Sequence, residues 1–445
     1  MFVFREGLYS DIRIETRFKT DIRYRDGVLE ECKQSTAKKA FIRVFDGQMW
    51  YYASTYKLGC LQEELDRLYL NATPVKGIED HPTVKNFQVN KAEIYKFRDD
   101  NVKDIPIDRK RRLLTEKLPP LQSSDFVKMT VATYSDRHSD YEFYSSKGAE
   151  IKYDFQVCGV RYGVAMANGE ENFSDSLMKT GDEFGKVCTS EQEILDYVAE
   201  CENYLLNAKP VTAGRYPVIL SPVTAGVFAH ESFGHKSEAD FMIGNKTMEK
   251  EWAIGAKVGS EILSIYDSGL EEGSGYVPFD DEGTAACKTY LIKNGVLAGR
   301  LHSAETAAYL GEKPTGNARA VDCDFEPIVR MTSTVIEAGK GTPEELFSKI
   351  KHGYFIKDYK HGSGMSTFTI APNFAYEIKD GKICNPVKIA VITGNVFETL
   401  NLIDGVSDKA EVISSAFGGC GKMEQFPLSV SFGGPFVSIS EMTVQ

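Results

Sequence analysis

The chain has 445 residues, 42% hydrophobic and 26% charged, which is typical of a globular protein long enough to divide into two domains. Its formal net charge of −12 argues against direct nucleic-acid binding, because phosphate affinity needs clustered lysine and arginine. No apolar run is long enough to span a membrane, and charges interrupt the opening MFVFREGLYSD before any signal-peptide core. The nine cysteines are scattered and suggest no disulfide framework. We therefore expect a soluble, cytoplasmic protein.

Alternating apolar and polar residues dominate the first part of the chain. Asp26-Gly27 and Asp46-Gly47 interrupt this alternation and predict the turns of an antiparallel meander. Leucines at helical spacing predict a helix over residues 61–71, and strand-like runs return within residues 127–165.

A capping box marks the last helix of this part. Ser190 and Glu193 have the required spacing, and the helix is predicted over residues 191–207. Strands followed by a few helices indicate an α+β fold, so we predict an N-terminal domain, residues 1–208, built from an antiparallel sheet with helices.

The second part, residues 209–445, is predicted to be a β-rich domain. It opens with a strand, and Ser221-Pro222 then provides an N-cap and a proline suited to the first position of a helix. Asn294-Gly295 predicts a hairpin turn, and the alternating residues 428–440 predict a final hairpin around two glycines.

Two histidines five residues apart occur in the segment HESFGH, residues 230–235. Residues five apart on an α-helix differ by about 140° around the axis, against about 40° for residues four apart. His230 and His235 can therefore face one metal ion only if the helix widens into a π-type turn or ends at Gly234. Glu231 would then adjoin a ligand, where a general base for a metal-bound water is needed.

A purely structural interpretation of this segment is also open. His230 would then be a buried histidine bonded to a carbonyl, and His235 an exposed residue at the helix end. A catalytic zinc site needs a third protein ligand besides the two histidines. The candidates are His302, His352, His361, Asp280, Asp281, Glu282, and Cys420, which lies in the glycine-rich stretch 418–422.

Several motifs in order resemble those of the TldD/PmbA family of zinc peptidases, also called modulators of DNA gyrase. They are VTAGVFAHESFGHKSE at 223–238, FDDEGT at 279–284, LIKNGVLAG at 291–299, PTGNAR at 314–319, ICNPVKIAVITGN at 383–395 and GCGK at 419–422. The resemblance covers nearly all of the second part and, more loosely, the first.

The resemblance implies one zinc ion per chain, bound by His230, His235 and Cys420, with Glu231 as the general base. It also implies a homodimer, or a heterodimer with a paralogue, that cleaves unfolded or extended peptides. We expect such a peptide to add to a sheet edge, at residues 367–370 or at the final hairpin. Asp281 and Asn317 are candidate substrate-binding residues, although both are also explained as braces of turns.

Two other functions remain compatible with the sequence. One is a non-catalytic, dimeric interaction protein with a structural metal, and the other is a different metal-dependent amide hydrolase. A structural zinc site is expected to have a fourth protein ligand, and no second cysteine near Cys420 or histidine near His235 offers one. On the resemblance, we interpret the chain as a zinc-dependent peptidase.

Overall fold

A seven-stranded sheet fills the first part of the chain in the computed structural model, which describes residues 2–445. The strand order is β3-β2-β1-β5-β6-β4, and β7 also pairs with β6. Neighbouring strands are antiparallel except β4 and β6. The elements are β1 Tyr9–Arg25, β2 Val28–Phe45, β3 Trp50–Thr55, α1 Leu61–Tyr69, α2 Pro82–Asn86, β4 Lys91–Ile94, α3 Ile107–Thr115, α4 Leu118–Leu121, β5 Val127–Ser145, β6 Glu150–Asn168, β7 Glu171–Gly181 and α5 Glu191–Asn207.

Turn and cap residues explain where these elements begin and end. Asp26 and Gly27 both have positive φ, 48° and 79°, which fits the tight turn that joins β1 to β2. Ser190 and Glu193 form the predicted capping box of α5, which is thereby confirmed. Buried residues of α5, including Ile194 and Val198, pack into one core with β5 and β6.

The second part of the chain contains two further sheets and two short ribbons. The larger sheet has the order β17-β18-β21-β27-β9-β16-β19-β20-β8, with β22 on β27, and the smaller has the order β12-β11-β10-β15-β26-β23. The strands are β8 Lys209–Pro210, β9 Gly214–Leu220, β10 Ile265–Asp267, β11 Thr289–Lys293, β12 Val296–Leu297, β13 Ala318–Arg319, β14 Ile328–Val329, β15 Ser333–Ile336, β16 His352–Ile356, β17 Tyr359–Gly364, β18 Thr367–Pro372, β19 Ala375–Lys379, β20 Lys382–Lys388, β21 Ile392–Asn395, β22 Ile403–Val406, β23 Glu411–Ser414, β24 Cys420–Lys422, β25 Gln425–Leu428, β26 Ser431–Gly434 and β27 Val437–Val444.

Helix α6, Pro222–Ala229, lies between these two sheets and contacts both β26 and β9. The remaining helices of this part are short: α7 Lys246–Glu251, α8 Ala304–Leu310, α9 Pro343–Ser348 and α10 Val396–Asn401. The molecule is therefore α+β, with an N-terminal antiparallel sheet and a β-rich second part, as predicted. None of the described helices is long and apolar enough to cross a membrane.

The predicted final hairpin is wrong. β26 lies in the smaller sheet between β15 and β23, whereas β27 lies in the larger sheet between β21 and β9. The two glycines that suggested a hairpin turn belong to β26, where Gly433 lies against the backbone of Glu411. The chain therefore passes from one sheet to the other at this point.

Ion pairs join the two parts of the chain. Arg43 on β2 binds Glu282 at 3.1 Å, and Arg13 on β1 binds Asp281 at 2.8 Å. Arg43 and Glu282 are both buried, so the seam between the first sheet and the second part is closed by well-shielded charges.

Candidate metal centre

The segment HESFGH continues helix α6 in a widened form. Ser221 caps α6 by accepting a hydrogen bond from the Thr224 N–H, and the helix is followed by a π-helix over His230–Gly234 and a 3-10 turn over His235–Ser237. The wider turn brings residues five apart back toward one face. The rings of His230 and His235 consequently lie with centroids 5.1 Å apart.

Gly234 is required for space rather than for backbone freedom. Its backbone is ordinary right-handed helix, with φ −56° and ψ −54°. A Cβ atom at this position would lie 2.1 Å from the sulfur of Met331. The glycine thus admits a core methionine directly behind the histidine pair.

Cys420 reaches the histidines from a separate ribbon, β24–β25. Arg330 donates a hydrogen bond to the Cys420 carbonyl at 2.8 Å and so helps to fix the ribbon. The Cys420 Sγ lies 3.4 Å from His235 Nε2, and one potential ligand atom from each of His230, His235 and Cys420 lies within 4.8 Å of the others. The structure thus brings together the three residues that the resemblance implied.

The other candidate ligands lie outside this cluster, and all of them except His361 have partners of their own. His302 binds Glu312, His352 binds Glu377, and His361 is exposed on β17. Among the described residues, no fourth His, Cys, Asp or Glu joins the group of three.

The chemistry of the three residues fits a zinc ion. Imidazole nitrogen and thiolate sulfur are both zinc ligands, and catalytic zinc sites use three protein ligands. His230 Nδ1 is buried and has no hydrogen-bond partner within residues 2–445, contrary to a purely structural histidine bonded to a carbonyl. Burial raises the pKa of Cys420, but His230 and His235 lower it, and the net result is about 5. The sulfur is therefore a thiolate at neutral pH, as metal binding requires.

A buried carboxylate orients His235. Glu238 is fully buried, and its Oε2 lies 3.2 Å from His235 Nδ1, which leaves Nε2 to face Cys420. Lys422 donates to Glu238 at 3.1 Å and to Asp240 at 2.6 Å. Burial raises the pKa of Glu238, but His235 and Lys422 lower it below its ordinary value. Such partners fix the tautomer and orientation of metal-binding histidines.

Sequence reasoning assigned no role to this second set of residues. Glu238 lies three residues after His235 and Lys422 two residues after Cys420, so both are within the motifs that carried the resemblance. The available signal was this short spacing from each ligand, together with the rarity of fully buried Lys and Glu without partners.

Glu231 lies on the π-helix against strand β17. A Cβ on Gly362 would lie 3.2 Å from Glu231 Cγ, and one on Gly364 would lie 2.9 Å from the Glu231 carbonyl oxygen. Glu231 is partly exposed, and its carboxylate forms no ion pair within the described part of the chain. It therefore remains free for another partner.

Asp281 and Asn317 are both held by internal bonds. Asp281 binds Arg13 and accepts the Ala320 N–H, and Asn317 is buried, donating to Asp267 at 2.8 Å. Asn317 thus braces its loop, whereas Asp281 lines a cavity at the seam described below.

Comparison with protein families gives two matches. The model described as "PmbA/TldA metallopeptidase C-terminal domain" matches residues 213–445, and the model described as "PmbA/TldA metallopeptidase domain 1" matches residues 10–72. The first match covers the π-helix, all three clustered residues, Glu238 and Lys422.

Similar proteins extend over nearly the whole chain. A metalloprotease of Synechocystis sp. is 31% identical over 98% of this chain and 94% of its own length. A zinc metalloprotease TldD homolog of Saccharolobus solfataricus is 32% identical over 71% of this chain and 72% of its own length. Among solved structures, TldE from Thermococcus kodakarensis has a TM-score of 0.74 and 17% identity, covering 98% of this chain and 96% of its own, which shows the shared fold.

Proposed function

The chain belongs to the PmbA/TldD family of metallopeptidases, and from this premise we propose that it hydrolyses peptide bonds in unfolded or extended peptides, with one zinc ion per chain and Glu231 as general base. The observation that carries this proposal is the cluster of His230, His235 and Cys420 directly beside Glu231. When bound, zinc supplies acidification of a water molecule and polarisation of a carbonyl group.

The residues around the proposed zinc position have distinct roles. His230, His235 and Cys420 hold the ion, and Glu238 keeps the His235 ring in one orientation through Nδ1. Glu231 accepts a proton from the attacking water and delivers it to the leaving amine, which a partly exposed carboxylate without an ion-pair partner can do.

Strand β17 provides a place for an extended substrate. The edges proposed from the sequence are wrong, because β18 is paired with both β17 and β21, and β26 and β27 each have neighbours on both sides. β17 is the end strand of the larger sheet and lies against Glu231. Backbone groups on its free side can pair with a peptide strand irrespective of side-chain sequence, which suits unfolded substrates.

The test compares zinc content and cleavage of an unfolded fluorogenic peptide in the wild type, Glu231→Gln and Cys420→Ser. We expect the Glu231 variant to retain zinc and lose at least about a hundredfold in kcat, because general-base catalysis contributes about 10²–10⁴-fold. The Cys420 variant should lose zinc. Glu261→Gln, which removes an exposed carboxylate paired with Lys257, is the matched control and should behave as wild type.

Two results would change the proposal. Wild-type cleavage by Glu231→Gln would remove the general-base role from this residue. A zinc-loaded wild type that binds unfolded peptides without cleaving any would favour the non-catalytic interaction protein, even though no fourth ligand lies in the cluster among the described residues.

A further inference from the structure

A small cavity lies at the seam between the first sheet and the second part of the chain. Its volume of about 40 Å³ exceeds the roughly 10–15 Å³ that one water molecule needs. Four arginines line it: Arg13, Arg17, Arg137 and Arg319. Only some of these positive charges have counterions.

Two of the arginines are fully compensated. Arg13 binds Asp281 at 2.8 Å, and Arg17 binds both oxygens of Glu15 at 2.8 Å. Burial lowers the pKa of each guanidinium, but these carboxylates raise it, so that both lie above the ordinary arginine value. Asp322, the third carboxylate at the cavity, pairs with Lys39 at 3.8 Å.

The other two arginines have no carboxylate partner within residues 2–445. Arg319 donates to the carbonyl oxygens of Met331 and Ser429, which satisfies N–H groups but does not neutralise the charge. The Arg137 guanidinium carbon lies 4.5 Å from the centre of the Phe155 ring, and its Nε is buried without a hydrogen-bond partner. Burial lowers the pKa of both groups below the ordinary value.

Arg319 is buried and Arg137 is partly buried with a shielded Nε, so two cations without carboxylate partners at one cavity are costly, because a charge shielded from water requires either a counterion or solvation. All three carboxylates at the cavity are already engaged by other cations. An anion with oxygen acceptors would balance the charge of both guanidinium groups, since arginine donors match carboxylates and other oxyanions well.

The cavity also adjoins the metal centre. Leu428 and Ser429 form part of its wall, and Leu428 on β25 is the cross-strand partner of Cys420 on β24. An occupant of the cavity therefore lies against the ribbon that presents the thiolate.

We propose that this cavity is an oxyanion-binding site in which Arg137 and Arg319 provide the positive charge. The ligand chemistry is a carboxylate or an inorganic oxyanion of similar size. It has two possible sources: an acidic group of a peptide bound to the enzyme, which rests on the proposed peptidase function, or a free anion, which does not.

The first measurement is denaturant unfolding of the whole chain with acetate, sulfate or phosphate at millimolar concentration, with chloride holding the ionic strength constant. The denaturant concentration at the unfolding midpoint of the wild type should increase with anion concentration and then reach a plateau. Arg137→Gln should bind these anions at least tenfold more weakly than wild type. Without an oxyanion, this variant should be at least as stable as wild type, because the substitution removes an unpaired charge. Arg161→Gln is the matched control, since Arg161 is an exposed arginine on β6 of the same sheet and bonds to Ser176.

Parallel responses of wild type, Arg137→Gln and Arg161→Gln to all three anions would overturn the proposal. If Arg137→Gln does not fold, calorimetric titration of the wild type with the same anions decides, and absence of millimolar binding rejects the site. A final comparison uses matched peptides with Glu or Gln. If the enzyme prefers the Glu peptide and only Arg137→Gln loses this preference, the natural ligand is a carboxylate of the substrate. If the enzyme binds the anions without preferring the Glu peptide, the natural ligand is a free anion.

Discussion

The buried carboxylate of Glu238 should control how tightly the His-His-Cys cluster holds a metal. Glu238 is fully buried, contacts His235 Nδ1 at 3.2 Å, and is itself held by Lys422 at 3.1 Å. Replacement of Glu238 by Gln keeps an oxygen acceptor of the same shape but removes the charge that makes the imidazole a better ligand. Lys422 retains Asp240 at 2.6 Å, so the ribbon that carries Cys420 should stay in place.

The expected loss can be estimated from these contacts. Removing the outer partner of a metal-binding histidine costs about 10–100-fold in metal affinity, or about 1.4–2.7 kcal/mol. Glu238→Gln should fall near the lower limit, because its oxygen can still accept the His235 N–H. Glu238→Ala should fall near the upper limit, because it leaves both His235 and Lys422 without their buried partner.

Zinc affinity can be measured by competition with a chromophoric chelator, and cobalt substitution can report whether the thiolate still binds. Glu312→Gln is the matched control, because Glu312 binds the buried His302 at 2.9 Å in a pair that is not part of the metal centre. It should leave zinc affinity unchanged. Wild-type zinc affinity in both Glu238 variants, or an equal loss in Glu312→Gln, would refute the assigned positioning role.

Three further predictions concern stability. Gly234→Ala places a Cβ 2.1 Å from a methionine sulfur and should lower the free energy of unfolding by about 1–3 kcal/mol. Gly418→Ala is the control, because a Cβ there would have no atom closer than 4.0 Å, and it should cost less than about 1 kcal/mol. Equal losses in the two variants would contradict the role assigned to Gly234. Burial raises the pKa of Asp358 to about 6 from 3.8, so the stability present below pH 3.8 is lost as pH rises through 6. Asp358→Asn should therefore resist urea better than wild type at pH 7.5, by up to about 3 kcal/mol in the free energy of unfolding, and should match wild type below pH 3.8; equal stability at pH 7.5 would count against this. In metal-free protein, the pKa is about 10 for His235 and about 5 for Cys420, against ordinary values of 6.5 and 9.0. The contribution of this pair to the free energy of unfolding should therefore rise from pH 5 to 6.5, stay level to pH 9 while the two effects cancel, and then fall. In Cys420→Ser the rise should be absent, because serine does not titrate in this range. The fall should begin at lower pH than in wild type, because Glu238 still raises the pKa of His235, and urea unfolding across this range measures both.

The local features of the fold were predictable where short-range chemistry determines them. The capping box at Ser190 and the turn at Asp26-Gly27 depend only on residues within a few positions, and the structure contains both. The five-residue spacing of HESFGH likewise required a widened or terminated helix, because a regular α-helix cannot turn both histidines to one side.

Long-range pairing set the limit of sequence reasoning. The alternation around Gly433 correctly indicated strands, but their partners lie in different sheets, and β26 pairs in parallel with β15 about a hundred residues earlier in the chain. No local pattern encodes that choice. The same holds for Glu238 and Lys422, whose contact joins residues from two distant segments.

The contact between His235 and Cys420 spans 185 residues of chain. The two histidines can approach each other as soon as one helix forms, whereas closing a loop of that length costs roughly 5 kcal/mol of chain entropy before the contact gives any return. The thiolate should therefore join late, after the strands on either side have assembled. A partly folded chain would carry the histidines without the sulfur, so the hydrolytic centre would be completed only when folding is nearly finished.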